Sequence, residues 1–488
     1  MMNSRPVVLL VRRMMFALFS GAALFAATGS ARAQAGPAST VDVPKIAYTR
    51  FALPNGLTVV LHEDHVTPLV AVNLEYYVGS KDELPGKRGL AHLFEHMMFE
   101  GSAYVAPGEH GRIVQEAGGT KNGHTFEDRT EYVNQVPSNM LETVIWLEAE
   151  RMAFLPARLD SERFERARDA VLNEYGQTFD GLSVNAGNLG GEALLTGLFP
   201  DPHPYATSVF GVMSELSATT VRDVQAFFDK YYAPNNATLA IVGDFATADA
   251  RAMIERYFGG IPRRGAVVRA AVPTSPLTRE KRLALEDKRA NTLQLWIGWR
   301  GAAAASKDRI ALTALGAILS GSRTSRLYRA LVDERKLATG LPANRNGHFD
   351  LESAGIFQII VTGNPNVSMT EIERVVDSVV AGVREAGVQP DELRRWLATY
   401  TVSSITRLQP VAAKAALLAE GQLLHGDPSA LLAEVTAARR LTVADLQRVA
   451  RQYLIPGRVV MSVVPAGKLE LLSKPNEPYV NKTRGKAP

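Results

Sequence analysis

Gly89-Leu90-Ala91-His92-Leu93-Phe94-Glu95-His96-Met97-Met98-Phe99-Glu100-Gly101 brings two of the nine histidines within five residues, with an acid between them. The surrounding Leu, Ala, Phe and Met residues are good helix formers, so the segment is predicted to be helical. On a helix, positions four apart lie almost above one another and the position three along lies beside them. His92 and His96 can therefore grip one metal ion, with Glu95 on the same side. Neutral imidazole suits zinc, and two nitrogens plus a carboxylate leave one tetrahedral position for water. An acid that is not a ligand can take a proton from that water and later pass it to a leaving amine. The order is His-x-x-Glu-His, the reverse of the more common His-Glu-x-x-His helix. By chance the pattern would arise in about one chain in a hundred of this composition. A helical histidine pair can also be a surface or core feature, so the reading needs a third ligand.

The candidate is Glu174, within the run from Asp160 to Gly176. Asp160 or Ser161 is a fitting N-cap, Glu162 and Glu165 suit the first turn, and Gly176 is read as the stop. Phe164, Val171 and Tyr175 give this helix an apolar stripe, and Glu174 neighbours it. Here the chain resembles the M16 zinc peptidases, the family of pitrilysin and insulin-degrading enzyme, as a bacterial two-domain member. Their signature is His-x-x-Glu-His followed 75 to 80 residues later by a ligand Glu in a helix reading Glu-Arg-x-x-Val-x-x-Glu. From His96 to Glu174 is 174 − 96 = 78 positions, and Arg168, Val171 and Glu174 fit that helix. Gly118-Gly119-Thr120-Lys121-Asn122, then Thr125, Asp128, Thr130 and Tyr132, match a second family segment. Pro137-Ser138-Asn139, Trp146 to Met152 and His203-Pro204-Tyr205 are also similar, so the likeness spans Tyr48 to Pro465.

Residues 1–33 read as an export signal: a basic start at Arg5, Arg12 and Arg13, an apolar run from Met14 to Ala27, and an Ala31-Arg32-Ala33 cleavage site. The run is short for a bilayer span and no longer one follows, so no stable membrane span is expected. Arg12-Arg13 raises a twin-arginine route, and Met14 or Met15 is an alternative start. The expected location is periplasmic or secreted. There is no cysteine, hence no disulfide and no lipidated thiol. Removing the signal takes four arginines from 54 basic residues and leaves 50 against 50 acids. A neutral chain without a basic stripe excludes a nucleic-acid surface.

Further divisions are expected at 34–47 (linker), 48–262 (metal-bearing domain), 263–280 (a Pro/Arg/Ala-rich linker), 281–466 (second domain) and 467–488 (a flexible tail). Strands are predicted from Arg50 to His62 around an Asn-Gly turn, from Leu69 to Val78, in a pair within Asn122 to Val136, and from Asn236 to Gly243. Gly187 to Gly191 reads as a loop, and His62, His65, His110, His124 and His348 as ordinary surface or loop histidines.

The second half repeats the first. Thr220-Val221-Arg222-Asp223-Val224-Gln225 is echoed by Thr442-Val443-Ala444-Asp445-Leu446-Gln447, an offset of 442 − 220 = 222. At that offset Val70 to Gly79 falls on Thr292 to Gly301, while His92, Glu95 and His96 fall on Ala314, Ala317 and Ile318. A repeat of this length means two copies of one domain, the second without ligands. The fold class expected is α/β (α+β): two homologous mixed-sheet domains with helices on one face.

The resemblance implies that the domains close like a clam shell, that His92, His96 and Glu174 hold Zn2+, and that Glu95 is the general base. It further implies that peptides are the substrates and that a strand bearing Asn122, Gly123 and His124 pairs with their backbone. Three departures stand out. The family has Ala at Gly123 and a Glu at Ala167, and active relatives carry an Arg/Tyr pair where this chain has Val332 and Thr339. Some bacterial members divide these roles between two chains. The expected partner is therefore a homologous chain bearing the Arg/Tyr pair, with a homodimer as the alternative; otherwise Arg323 or Arg326 would supply the charge. The competing reading is a non-catalytic scaffold subunit of the same fold.

Overall fold

The computed structural model describes residues 44–482 except 181–186, 289 and 291. The expected export signal and residues 483–488 lie outside the described residues. Six strands form a first sheet: β1 (Thr49–Ala52), β2 (Thr58–Glu63), β3 (Leu69–Tyr76), β4 (Thr120–Thr125), β5 (Thr130–Pro137) and β6 (Ala237–Gly243). Seven form a second: β7 (Lys281–Asp287), β8 (Gln294–Arg300), β9 (Ala338–Gly340), β10 (Gly347–Phe349), β11 (Ile356–Gly363), β12 (Val459–Pro465) and β13 (Val480–Asn481). The architecture is mixed α/β.

The sheets share one plan. The first runs β1-β2-β6-β3-β5-β4, the second β13-β7-β12-β8-β11-β10, with β9 beside β11. β2 and β6 are parallel, as are β7 and β12, and the strands beyond β6 and β12 are antiparallel; at the opposite edge β1 is antiparallel to β2, whereas β13 is parallel to β7. Even the register repeats: Leu74 pairs with Leu239, and Trp296 with Met461, each residue 222 further on. The helices Val221–Tyr231 and Val443–Tyr453 each open with a capping box, Thr220 with Asp223 and Thr442 with Asp445. Each box satisfies two backbone N–H groups that a helix start otherwise leaves bare.

Alternation in the central strands sorts side chains onto two faces. Val59, Leu61, Val70, Val72, Leu239 and Ile241 face the core built with the first half's own helices. Val60, Ala71, Ala240 and Val242 face the other way, onto Val411, Ala415, Leu418 and Ala419 of the helix Val411–His425, which comes from the second half. Arg50 donates to Gln422 at 2.6 Å and Arg129 to Glu420 at 3.0 Å, and Lys414 pairs with Asp64, fixing this helix in place. The first half reciprocates: Leu194, Leu195 and Leu198 of the helix Gly187–Leu198 pack on Leu283, Trp296, Val459 and Met461 of the second sheet. Each half thus lends one helix to the other's sheet.

Four expectations are corrected. The helix expected to stop at Gly176 runs Ser161–Asp180, because glycine inside a helix costs only about 1 kcal/mol and the flanking residues continue the pattern. The expected loop at Gly187–Gly191 is the start of a helix; a Cβ on Gly190 would stand 2.8 Å from the Trp296 ring, so glycine serves close packing here. The expected flexible tail is docked in part: Ser473 N donates to Ser462 at 3.0 Å, and Val480–Asn481 pairs with β7. His110 is buried and bonded to Asn134 at 3.0 Å, and the His348 side chain is fully enclosed, so neither is a surface histidine.

Candidate metal centre

Leu90–Met97 is a helix of eight residues. Leu90, Leu93, Phe94 and Met97 are buried on one side, where the Phe94 ring lies 4.1 Å from that of Tyr232. Gly89 before it has φ +97°, a left-handed conformation open to glycine at little cost. No side chain of the N-cap residue caps this helix. Glu83 does so from the preceding loop, accepting from Gly89 N at 2.8 Å and Ala91 N at 2.7 Å. Burial pushes its carboxyl up to about 8 despite those two donors.

Packing of the apolar side turns His92 and His96 towards the helix Ser161–Asp180 and Glu95 towards β4. That helix is started by Asp160, whose carboxylate accepts from Arg163 N at 2.9 Å, and is anchored by buried Phe164, Ala167 and Val171. The result brings together one ligand atom each from His92, His96 and Glu174 within 4.8 Å. The two Nε2 atoms are 3.3 Å apart, and the Glu174 Oε2 atom lies 3.6 Å from that of His92 and 3.3 Å from that of His96. A tetrahedral ion with bonds of about 2.0–2.1 Å needs donors about 3.3–3.4 Å apart. The three residues therefore fit zinc in both chemistry and spacing.

Electrostatics agree. Burial, with the neighbouring His96, depresses His92 to about 4, keeping it neutral and ready to bind a cation. Hydrogen bonding to His96 holds Glu174 below the usual carboxylate range. Its side chain is 43% exposed, which leaves the cluster open on that flank. His92 also meets the Phe210 ring edge-on at 5.0 Å. Its Nδ1 has no hydrogen-bond partner among the described residues, and Ala167 puts no carboxylate into the core beside the cluster.

Glu95 is 9% exposed, and burial raises its carboxyl above the ordinary range against a hydrogen bond from Thr125. Thr125 Oγ1 donates to Glu95 Oε2 at 2.8 Å. Gly123 lets the carboxylate come close, since a Cβ there would lie 2.8 Å from Glu95 Oε1. Asn122 and His124 stand on the other face of β4, which is the last strand of its sheet. Thr125 and Glu83 were not singled out from the sequence. Thr125 lay in a recognised motif, whereas only tertiary structure reveals Glu83 as a cap.

Among the described residues, the second half has no comparable donor set. Val332 lies in a π-helical turn and Thr339 on β9, its hydroxyl on the Thr362 carbonyl at 3.3 Å. Arg326 is committed to Glu392 through two bonds of 2.8 and 2.6 Å, and exposed Arg323 donates to the Tyr328 hydroxyl at 3.2 Å. No helix of the described residues is long and apolar enough to cross a membrane.

Comparison with known proteins follows the same lines. A family model described as insulinase (peptidase family M16) matches residues 58–182, and one described as peptidase M16 inactive domain matches residues 218–400. Zinc protease PqqE of Helicobacter pylori is 28% identical over 408 residues, 82% of this chain and 89% of that one. An uncharacterised zinc protease of Mycobacterium leprae is 25% identical over 83% of this chain and 89% of its own length. Among solved structures, a protease from Helicobacter pylori superposes with a TM-score of 0.78 at 25% identity, covering 86% of this chain and all of that one. A peptidase M16 inactive domain from Pseudomonas fluorescens gives 0.75 at 20% identity, over 86% and 98%, a likeness of fold.

Proposed function

Given that this chain belongs to the M16 (insulinase) peptidase family, we propose that it is a zinc-dependent endopeptidase or oligopeptidase acting on peptides or unfolded segments. The observation that carries this reading is the convergence of His92, His96 and Glu174 at tetrahedral spacing beside Glu95. Bound zinc would supply Lewis acidity, polarising the scissile carbonyl and making water a stronger acid. His92 and His96 would hold the ion through their ring nitrogens, and Glu174 would add the one negative charge. Glu95 takes the proton of the attacking water on Oε1, because Thr125 already donates to Oε2. The same carboxyl then returns that proton to the leaving amine. Its raised affinity for protons suits both steps. Asn122 and His124, on the terminal strand β4, receive the peptide as an added strand, which gives affinity through main-chain bonds without demanding a sequence.

A second chain fits this reading. With Val332 and Thr339 where active relatives have Arg and Tyr, and Arg326 neutralised by Glu392, the electrophilic help comes from a homologous M16 partner. The apolar run and Ala-x-Ala site in residues 1–33 support export to the periplasm or beyond. The test is hydrolysis of mixed quenched fluorescent peptides by the mature chain, with and without a chelator, alone and with the partner. Chelator-sensitive cleavage restored by zinc is expected, with a gain on mixing. A zinc-loaded chain that cleaves nothing, with or without partner, sinks the enzyme reading and leaves the scaffold.

A further inference from the structure

On β4, burial alternates so that Lys121, Gly123 and Thr125 turn inward while Asn122 and His124 stand exposed on one face. His124 lies directly opposite Glu131 in the β4–β5 register. Its Nδ1 is 2.8 Å from Glu131 Oε1, and its Nε2 is 2.9 Å from the Asn122 amide. Glu131 is buried and does not move freely: Arg129 donates to its other oxygen at 3.3 Å. Arg129 is itself held by Glu420 at 3.0 Å and lies 3.7 Å from fully buried Glu75. A fixed carboxylate, an imidazole and a side-chain amide thus form one line that ends at the exposed edge of the sheet.

We propose that Glu131, acting through His124, sets which way the Asn122 side-chain amide faces, and so which backbone group of a peptide the edge of β4 receives. This rests on the peptidase reading and on Asn122 meeting substrate; His124 and Glu131 are positioning residues. The chemistry is that of a tautomer fixed from one side. A carboxylate at Nδ1 demands a proton there, so the neutral ring keeps only a lone pair at Nε2. Asn122 must give that lone pair its N–H, which leaves its carbonyl oxygen facing out as an acceptor for a peptide N–H. When the ring takes a second proton, Nε2 becomes a donor. The amide then turns its oxygen inward and offers N–H groups to a peptide C=O. Along an added strand these groups alternate, so the two states favour different alignments of the same peptide.

The groups facing His124 set where the change occurs. Glu131 on β5 favours the doubly protonated ring most, partial burial opposes it, Glu95 on the Leu90–Met97 helix favours it, and Arg129 opposes it. Glu420 sits behind Arg129 and offsets its charge, whereas burial holds the nearby Glu75 carboxyl well above its ordinary range. The balance holds the imidazole above its ordinary range, so the neutral, acceptor-presenting state belongs to the more alkaline side.

The test uses the full zinc-loaded chain carrying Glu95→Gln, which should bind peptide without cutting it. Binding of a fluorescein-labelled unstructured peptide is read by anisotropy across the pH range that titrates His124. His124→Phe and Asn122→Ala should each weaken binding about five- to tenfold, and the double variant no further, because both remove one contact. The parent should show a pH-dependent affinity that His124→Phe flattens. His124 is half exposed, and unchanged thermal midpoints would confirm that the variants fold. Binding unaffected by His124→Phe, or losses that multiply in the double variant, overturns this proposal alone. No binding of any peptide by the Glu95→Gln protein overturns the peptidase reading, and this proposal with it.

Discussion

The helix Leu90–Met97 and its counterpart Arg309–Ser320 occupy the same place in two sheets in which five successive strands share one order. Where the first has His92, Glu95 and His96, the second has Ala314, Ala317 and Ile318, and Glu174 falls on Trp396 at the same offset of 222. Ala314, Ile318 and Trp396 are buried, the Trp396 ring stacks on Tyr400 at 4.9 Å, and the cluster borders a cavity of about 460 Å³. The fold therefore does not need the donors. Burying His92 and Glu95 costs the first half stability that the second half gains from apolar side chains at the same places. On the peptidase reading, that cost is the cost of the chemistry.

That contrast makes expectations for each half. The largest effect should follow Glu95→Gln, which removes the proposed base but none of the proposed ligands: zinc per chain measured by mass spectrometry stays put while peptide turnover falls roughly 10²–10⁴-fold. Cleavage at the parent rate would refute the base assignment. In the other half, Trp396→Ala should cost about 3–5 kcal/mol by chemical denaturation and change neither zinc content nor turnover of the folded protein. A loss of zinc there would show that the halves are not divided as described.

Acid should separate the halves as well. His92 and His110 are held near about 4 and about 3 in the folded chain, chiefly by burial, against an ordinary value of 6.5. Between those values the unfolded chain binds protons that the folded chain does not. Stability is thus full above pH 6.5 and is lost as pH falls toward about 4 for His92 and about 3 for His110. For the metal-free protein the loss should be about 1 kcal/mol from each by about pH 5.5. Hydrogen exchange should show the first half losing protection before the second; simultaneous loss would contradict the assignment. The smallest effect is reserved for Gly123→Ala. The new Cβ would stand 2.8 Å from Glu95 Oε1 and displace it, so kcat should fall about three- to tenfold with zinc retained. An unchanged kcat would show that the carboxylate has room to spare.

Legibility in the sequence followed distance along the chain. His92, Glu95 and His96 are local, and helical spacing alone brings them together. Glu174 is 78 residues further on, and only a recognised family pattern singled it out; nothing about a lone helical Glu does so. The duplication was visible through Thr220 and Thr442 because a capping box is a short-range device. Gly190 was misread because the Trp296 ring that requires a glycine belongs to the other half. Glu83 caps the helix Leu90–Met97 across a loop, and His110, on the helix Glu109–Glu116, finds Asn134 on β5; such partners exist only once the chain has closed.

The lending of helices between the halves also has a meaning in time. The first sheet is complete once Gly243 has been made, but the helix that covers Val60, Ala71, Ala240 and Val242 begins at Val411, 411 − 243 = 168 residues later. At about 5–20 residues per second, synthesis leaves that face bare for roughly 8–30 seconds. A nascent first half is thus a sticky, unfinished object for most of the translation of the second. A chain held unfolded until its last residue is made never passes through that interval.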